Sequence, residues 1–484
     1  MAEVGGRTFA QNAGLVAGLV ALAAVVFVEP PAGLSPAAWI VAGTMVLMAC
    51  WWATEALPLA ATALVPLAIL PPLAATSAAD LAQGYGNTTL FLILGGLLLG
   101  LAMERCGLHR RIAYAIVARA GGHAQGLVFG MMCATAFVSM WVQNTSTTLM
   151  MIPVALSVAG IVAPEGGAAG RDATHFAKAL VLCVAYAATI GGLGTLVGTA
   201  TNALVVGFMQ QSYGETISFT QWLAFGIPTV VLLLPVAWFV LVRIAFPFRL
   251  GEQATARDRL IEARVALGPM TSAERRVSII LVVTATFWIG GPLIQKLPGF
   301  GAWNDTTTAL LAGLVLCVVQ NGTREGGGLL IGADLRRVPW DVLMLFGGGL
   351  ALAEAIQGSG LSDYLGVLLA GIGTLPLVAL IATMVALLVF WTEFNSNVAT
   401  AATFMPILAA IAAASDYPVL QLVAPAAIAA SCGFMLPVGT PPNAIVFGTG
   451  RLTMQEMIRA GWRVNVASIV IVTAVSMIVI PLIA

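Results

Sequence analysis

Apolar runs of about 20 residues, the length that crosses a bilayer, recur from one end of this 484-residue chain to the other. Uninterrupted runs predict membrane helices at 12–29, 36–53, 55–74, 87–106, 219–246, 275–294, 305–320, 340–357 and 461–483. Four other runs are broken by short polar stretches. The run 124–165 breaks at 143–148 and 176–210 breaks near 191–202, while 375–413 breaks around Asn397 and 418–450 near 437–443. The first run has no small-residue cleavage site after it, so it reads as a retained helix rather than a signal peptide.

Two of the interruptions share a pattern. Residues 141–153 read WVQNTSTTLMMIP and residues 394–406 read FNSNVATAATFMP. Asn144 and Asn397 are 253 positions apart, as are Thr147 and Thr400, and Pro153 and Pro406. The same offset relates LGGLLLGLAMERCGL (94–108) to GGGLALAEAIQGSGL (347–361). Downstream, GTATNAL (198–204) meets GTPPNAI (439–445) at an offset of 241, the difference falling in the polar loop after the first hairpin, where deletion is tolerated.

The chain therefore contains a repeat. An N-terminal helix (1–35) precedes repeat 1 (36–246), with scaffold helices over 36–120 and a hairpin and broken helix over 124–246. A polar, Arg/Glu-rich cytoplasmic linker (247–274) leads to repeat 2 (275–484), with scaffold helices over 275–371 and a hairpin and broken helix over 375–484. If the runs at 124–165 and 375–413 enter and leave the membrane on one side, every Lys and Arg except Lys296 falls on a single side, as cytoplasmic loops require. That layout puts the N-terminus inside and the C-terminus outside. Five full crossings per copy turn the second copy upside down relative to the first. Inverted repeats with broken helices are the pattern of secondary transporters, whose site lies at mid-membrane where the repeats meet.

Composition agrees. Hydrophobic residues make up 60% of the chain and charged ones 9%, against about 25% in soluble domains; mean hydropathy is +0.98. The fold class is an all-α polytopic membrane protein of about 11 transmembrane helices plus two re-entrant hairpins. Formal net charge is zero, and nucleic-acid binding is not expected. The six cysteines are scattered without metal-site spacing and read as packing residues. The three histidines lie near charged or glycine-rich ends and read as solvated. No nucleophile–base or metal set lies in the spans, so the chain is not expected to be an enzyme, and duplicated closed hairpins suit alternating access better than an open pore.

Irregular backbone at membrane depth must be covered by protein or line a wet cavity. The hairpin tips supply amide and hydroxyl oxygens. The gaps Gly198-Thr199-Ala200-Thr201-Asn202 and Gly439-Thr440-Pro441-Pro442-Asn443 free carbonyls on one side and N–H groups on the other. Such oxygens suit Na⁺ without a carboxylate. Helix N-termini, positive by their dipoles, suit an anion. With no Lys or Arg in the cluster, anion binding depends on the bound cation, which is a physical basis for coupled transport. The glycine runs 95–96 and 347–349 read as close helix packing. Glu393, four residues before Asn397, is either a structural hydrogen-bonding group or a contributor to cation affinity or proton coupling; its counterpart is Met140.

These motifs resemble the divalent anion/Na⁺ symporter family, carriers of succinate, malate, fumarate, citrate and, in some branches, sulfate. The family carries a Ser-Asn-Thr motif at each hairpin tip and a Gly-(Ser/Thr)-Pro-Pro-Asn-like gap in each broken helix. MWVQNTSTTLMMIP, TEFNSNVATAATFMP, GTATNAL and GTPPNAI match these, and WWATEALPLAATALVPL (51–67) is similar to the family's second and third helices. The resemblance implies a first Na⁺ site of Ser139, Gln143, Asn144 and the Gly198 carbonyl. It implies a second of Thr392, Asn395, Asn397 and the Gly439 carbonyl. The substrate carboxylates would meet Asn144, Thr145, Thr199, Ser396, Asn397, Thr440 and Pro441. It further implies a homodimer in the cell membrane whose hairpins and broken helices move as an elevator, coupling Na⁺ to uptake of a C4-dicarboxylate or citrate. Gln143 stands where the family usually has Ser, Val398 where many members have Thr, and the first gap lacks the prolines. A Na⁺-independent dicarboxylate exchanger and a sulfate transporter of the same fold stay open as alternatives.

Overall fold

The computed structural model describes residues 7–73, 75–119, 123–162, 170–250, 258, 261–262, 264–323, 326–369 and 375–483. Among these residues every extended element is an α-helix, and nine helices are long and apolar enough to cross a membrane. Of the 247–274 linker, residues 251–257, 259–260 and 263 lie outside the described residues.

Helices α1 (Phe9–Phe27) and α2 (Pro36–Thr54) form the first pair. Thr8 and Gln11 make a reciprocal capping box at α1, and Ser35 caps α2 with proline at its first turn. The sequence predicts one helix over 55–74, but the structure has two short ones, α3 (Leu59–Thr62) and α4 (Val65–Ile69). Glu55 turns left-handed (φ 49°), and Pro58 and Pro66 remove the N–H groups a continuous helix needs. Helices α5 (Ala78–Tyr85) and α6 (Thr88–Cys106) follow. The amphipathic α7 (Leu108–Val117) begins straight after Gly107, whose φ of +80° ends α6.

The first hairpin is α8 (Ala124–Ser139) and α9 (Asn144–Val162). The first broken helix is α10 (Arg171–Gly192) and α11 (Ala200–Tyr213). Next comes α12 (Phe219–Phe239), continued by a π-helical turn to Ala245. The second set repeats this order: α13 (Ser272–Ile294), α14 (Asp305–Val318), the short α15 (Gly332–Leu335), α16 (Trp340–Gly358) and α17 (Leu361–Leu369). Then come the hairpin α18 (Leu377–Trp391) and α19 (Asn397–Ala414), the broken helix α20 (Leu420–Ser431) and α21 (Pro441–Phe447), and α22 (Met454–Ile483).

The glycine runs let backbones meet. A methyl on Gly95 would stand 2.5 Å from the Ala309 carbonyl of α14, and one on Gly348 would stand 2.3 Å from Ala63 O. The two sets also cross-pack. The half-helix α21 lies against α9 and α10 of the first set, and α11 lies against α16 and α20 of the second. Tyr186 of α10 donates to Phe434 O at 2.9 Å, and the Thr201 and Ser431 hydroxyls are 2.6 Å apart. This exchange of half-helices brings all four polar interruptions to one place.

Polar ties hold the periphery. Arg111 meets both carboxylate oxygens of Glu274 at 3.1 Å, and Glu104 and Arg105 pair with Arg337 and Asp334. Of the histidines, His123 is exposed and His175 half-buried, but His109 is buried, with Nδ1 3.2 Å from Met103 O. Burial holds its pKa below the usual imidazole value.

Candidate functional site

A cavity of about 700 Å³ lies where the interruptions meet. It is lined by Gln143, Asn144 and Thr145 of the first hairpin and Asn395, Ser396, Asn397 and Val398 of the second. Gly198 and Thr199 from one gap and Gly439, Thr440 and Pro441 from the other complete it. Every residue proposed from sequence to touch the anion is among them. Among the described lining residues there is no Lys, Arg or His, while Thr8, Gln11, Glu55 and Asp341 also line it.

The two gaps are built alike. Thr199 and Thr440 are the N-cap residues of α11 and α21, with φ, ψ of −144°, 146° and −146°, 146°. Asn202 Nδ2 donates to Gly192 O at 3.0 Å and Thr195 O at 2.8 Å. Asn443 Nδ2 donates to Gly433 O at 3.2 Å and Leu436 O at 3.0 Å. Each amide thus stitches the two halves of its broken helix by satisfying carbonyls that the break leaves free. Each also keeps its Oδ1 buried with no hydrogen-bond partner.

Ser139 and Thr392 lie behind the cavity, both fully buried. Ser139 Oγ is 2.8 Å from Asn144 Oδ1 and 2.7 Å from Ala188 O. Thr392 Oγ1 is 3.0 Å from the Asn397 amide and 2.6 Å from Ala430 O. The end of the Asn397 amide faces three oxygens: Thr392 Oγ1 at 3.0 Å, Ala430 O at 3.2 Å and Gly439 O at 3.1 Å. The amide nitrogen satisfies them as a donor. With the amide oxygen turned the same way, it meets the Ala430 and Gly439 carbonyls and the Thr392 hydroxyl oxygen at 3.0–3.2 Å, a crowding of acceptors that a bound cation would relieve. Uncharged oxygens of this kind are what a hard monovalent cation takes, so the donor set fits Na⁺.

Two glycines make room for these clusters. A Cβ on Gly198 would stand 2.4 Å from Gly192 O, and one on Gly439 would stand 2.7 Å from Glu393 Oε2. The structure therefore brings together Ser139 with Asn144, and Thr392, Asn397 and Gly439 with one another, as read from sequence. Asn395 behaves differently. With its amide oriented to satisfy its neighbours, it donates to Ala53 O of α2 at 2.9 Å and accepts from Trp391 Nε1 at 2.8 Å, away from Thr392. Gln143 lines the cavity.

The two hairpin tips sit in different surroundings. Trp141 stacks on Phe219 and Trp288, and Val197 is buried against Gly96. Their counterparts in the second copy, Phe394 and Val438, are 71% and 74% exposed and line the cavity. Sequence reading gave no role to Asn202, Asn443, Tyr186 or Asn465. For the first two the signal is their matched place as the last residue of each gap.

Residues 10–484 match the family described as sodium:sulfate symporter transmembrane region. The sodium-dependent dicarboxylate transporter SdcS of Staphylococcus saprophyticus is 38% identical over 476 residues, covering 97% of this chain and 92% of that protein. The protein of the same name from Staphylococcus aureus is 38% identical over 444 residues, covering 90% and 85%. Among solved structures, the Alcanivorax borkumensis YdaH transporter, described as having an unusual topology, is similar in fold. Its TM-score is 0.50 at 17% identity, over 81% of this chain and 86% of that one.

Proposed function

The chain belongs to the sodium:sulfate symporter family, and from that premise we propose that it is a membrane transporter coupling inward movement of Na⁺ to uptake of a dicarboxylate. The observation that carries this reading is the pair of uncharged oxygen clusters, Ser139, Asn144 and Ala188 O in one and Thr392, Asn397, Ala430 O and Gly439 O in the other, beside a cavity whose described lining has no basic side chain. Relatives 38% identical over most of their length carry the name sodium-dependent dicarboxylate transporter.

The mechanism follows from electrostatics. A dianion entering this cavity meets hydroxyls of Thr145, Ser396 and Thr440 and the amides of Asn144 and Asn397, but no side chain of opposite charge. Two Na⁺ ions, one at Ser139, Asn144 and Gly198 and one at Thr392, Asn397 and Gly439, supply that charge. The helices starting at Asn144 and Asn397 add the positive ends of their dipoles. Dicarboxylate affinity then depends on Na⁺, and by linkage Na⁺ affinity depends on the dicarboxylate. Substrates in this reading are succinate, malate, fumarate or citrate.

Transport proceeds as an elevator within a homodimer. The moving part is 124–246 with 375–484, and the scaffold is 36–120 with 275–371. The N-terminus is cytoplasmic and the C-terminus outside, and the second repeat is inverted. In this layout Thr8, Glu55 and Asp341, which line the cavity, lie on the cytoplasmic side, which supports an inward-facing reading of this conformation.

Uptake of labelled succinate into proteoliposomes tests the reading, with and without an inward Na⁺ gradient and with empty or succinate-loaded lumens. Uptake into empty vesicles that requires the gradient is the expected result. Gln143 in the cavity wall favours a second reading, an exchanger or a sulfate carrier, because it replaces a small hydroxyl with a longer amide. Uptake that ignores Na⁺ and needs internal dicarboxylate would establish the exchanger, and sulfate uptake in place of succinate would establish the sulfate carrier.

A further inference from the structure

Glu393 is 1% exposed and follows Thr392 directly. Its carboxylate turns into the gap between α20 and α21. Oε1 accepts from the N–H groups of Phe434 at 2.7 Å and Met435 at 2.8 Å and from Asn465 Nδ2 at 2.7 Å, and Oε2 accepts from Leu436 N–H at 2.8 Å. The three backbone donors lie in the segment that leads to Gly439, and a Cβ on Gly439 would stand 2.7 Å from Oε2. One side chain therefore fixes the distance between the hairpin oxygens, Thr392 and Asn397, and the Gly439 carbonyl.

The first copy does the same mechanical work without charge. Met140 occupies the matching position, and the register that pairs Ser218 with Thr453 and Gly226 with Gly461 sets Val230 opposite Asn465. Its gap is held by Thr195 Oγ1 donating to Met140 O at 2.5 Å, by the Asn202 amide, and by Trp222 Nε1 donating to Leu193 O at 3.1 Å. A neutral staple is thus sufficient for the fold of a gap. A carboxylate at membrane depth is costly, and its remaining consequence is a negative charge one residue from the second cation cluster. Charges interact strongly in such a low-dielectric setting.

We infer that Glu393 is a positioning residue for the second cation pocket, making that pocket bind Na⁺ more tightly than the first, so that it fills first. This rests on the Na⁺-coupled reading above.

The test is the Na⁺ concentration giving half-maximal succinate uptake in proteoliposomes of the full chain, paired with Na⁺-dependent thermal stabilisation in detergent. Glu393→Gln is expected to raise the half-maximal Na⁺ concentration about tenfold or more, while the rate at saturating Na⁺ stays within about twofold of the parent. Its Na⁺-dependent stabilisation shifts to higher Na⁺ in parallel. Asn465→Ala and Tyr186→Phe each remove one tie on the segment and keep the carboxylate. They are expected to raise the half-maximal Na⁺ concentration by a smaller factor, about threefold, and they carry the test if Glu393→Gln does not fold. Folded variants that lose rate or yield with an unchanged half-maximal Na⁺ concentration would overturn the inference and leave Glu393 a structural staple. If the parent protein itself takes up succinate without Na⁺, the proposed function fails first and this inference falls with it.

Discussion

Trp141 and Trp288 stack nearly parallel, with ring centroids 6.4 Å apart and planes 9° apart. This contact docks the first hairpin tip on α13, whereas Phe394, the matching residue of the second tip, stands exposed in the cavity. In the proposed elevator cycle the two tips would exchange surroundings. With the six native cysteines replaced, Phe394→Cys is expected to react with a thiol reagent from the cytoplasmic side and Trp141→Cys to be protected. The opposite-facing state reverses the two. Equal reactivity of both sites in every condition would argue against the exchange.

Asn144 and Asn397 each line the cavity and meet the buried Ser139 or Thr392 hydroxyl, the proposed cation positions. Asn144→Ala and Asn397→Ala are each expected to reduce Na⁺-driven uptake by about 100-fold or more, with the protein still monodisperse in detergent. Near-normal transport by either variant would show that the assigned oxygens do not form the site.

Gly198 and Gly439 have no space for a methyl group, at 2.4 Å from Gly192 O and 2.7 Å from Glu393 Oε2. Alanine at Gly439 must push the gap away from the second hairpin, and alanine at Gly198 must pry its own gap apart against Gly192. Both variants are expected to lose Na⁺ dependence of uptake. Gly290→Ala, whose methyl meets only Ile294 Cδ1 at 3.7 Å, is the control and should transport like the parent.

Asn202 and Asn443 hold the breaks together. Replacing either by alanine strips buried carbonyls of their donor, at a cost of about 1–3 kcal/mol. A lower thermal midpoint in detergent is the expected outcome, and an unchanged midpoint would mean that the breaks are held by packing alone.

Arg111 grips Glu274 with two nitrogens and also donates to the carbonyls of Leu267, Gly268 and Pro269. The Glu274 side chain is 6% exposed. Arg111→Ala leaves that carboxylate with the Thr271 N–H, and losing the charged donor costs about 1.5–3 kcal/mol. Faster trypsin cleavage after Arg264 and a reduced thermal midpoint would report it.

The sequence by itself determined the class of fold and the places where it is interrupted. Hydrophobic runs and their polar breaks are local properties of the chain, since lipid forbids unsatisfied backbone wherever protein does not cover it. The matched spacing of Asn144 with Asn397, and of Gly198 with Gly439, was legible for the same reason. Proline chemistry was legible too, yet the run at 55–74 was still read as one helix because its hydrophobicity outweighs Pro58 and Pro66 in a composition-based reading.

Only the tertiary structure decided which polar groups meet. Asn395 reads in sequence as a ligand like its neighbours, but packing of the second tip against α2 turns its amide to Ala53 O. Glu393 finds its donors 41 to 72 residues away, on the gap and on α22. Asn202 and Asn443 stitch gaps whose shape exists only once α11 and α21 have packed against the other copy. Such partners are set by how helices cross, and helix crossing depends on side chains distant in the chain, so no local pattern encodes it.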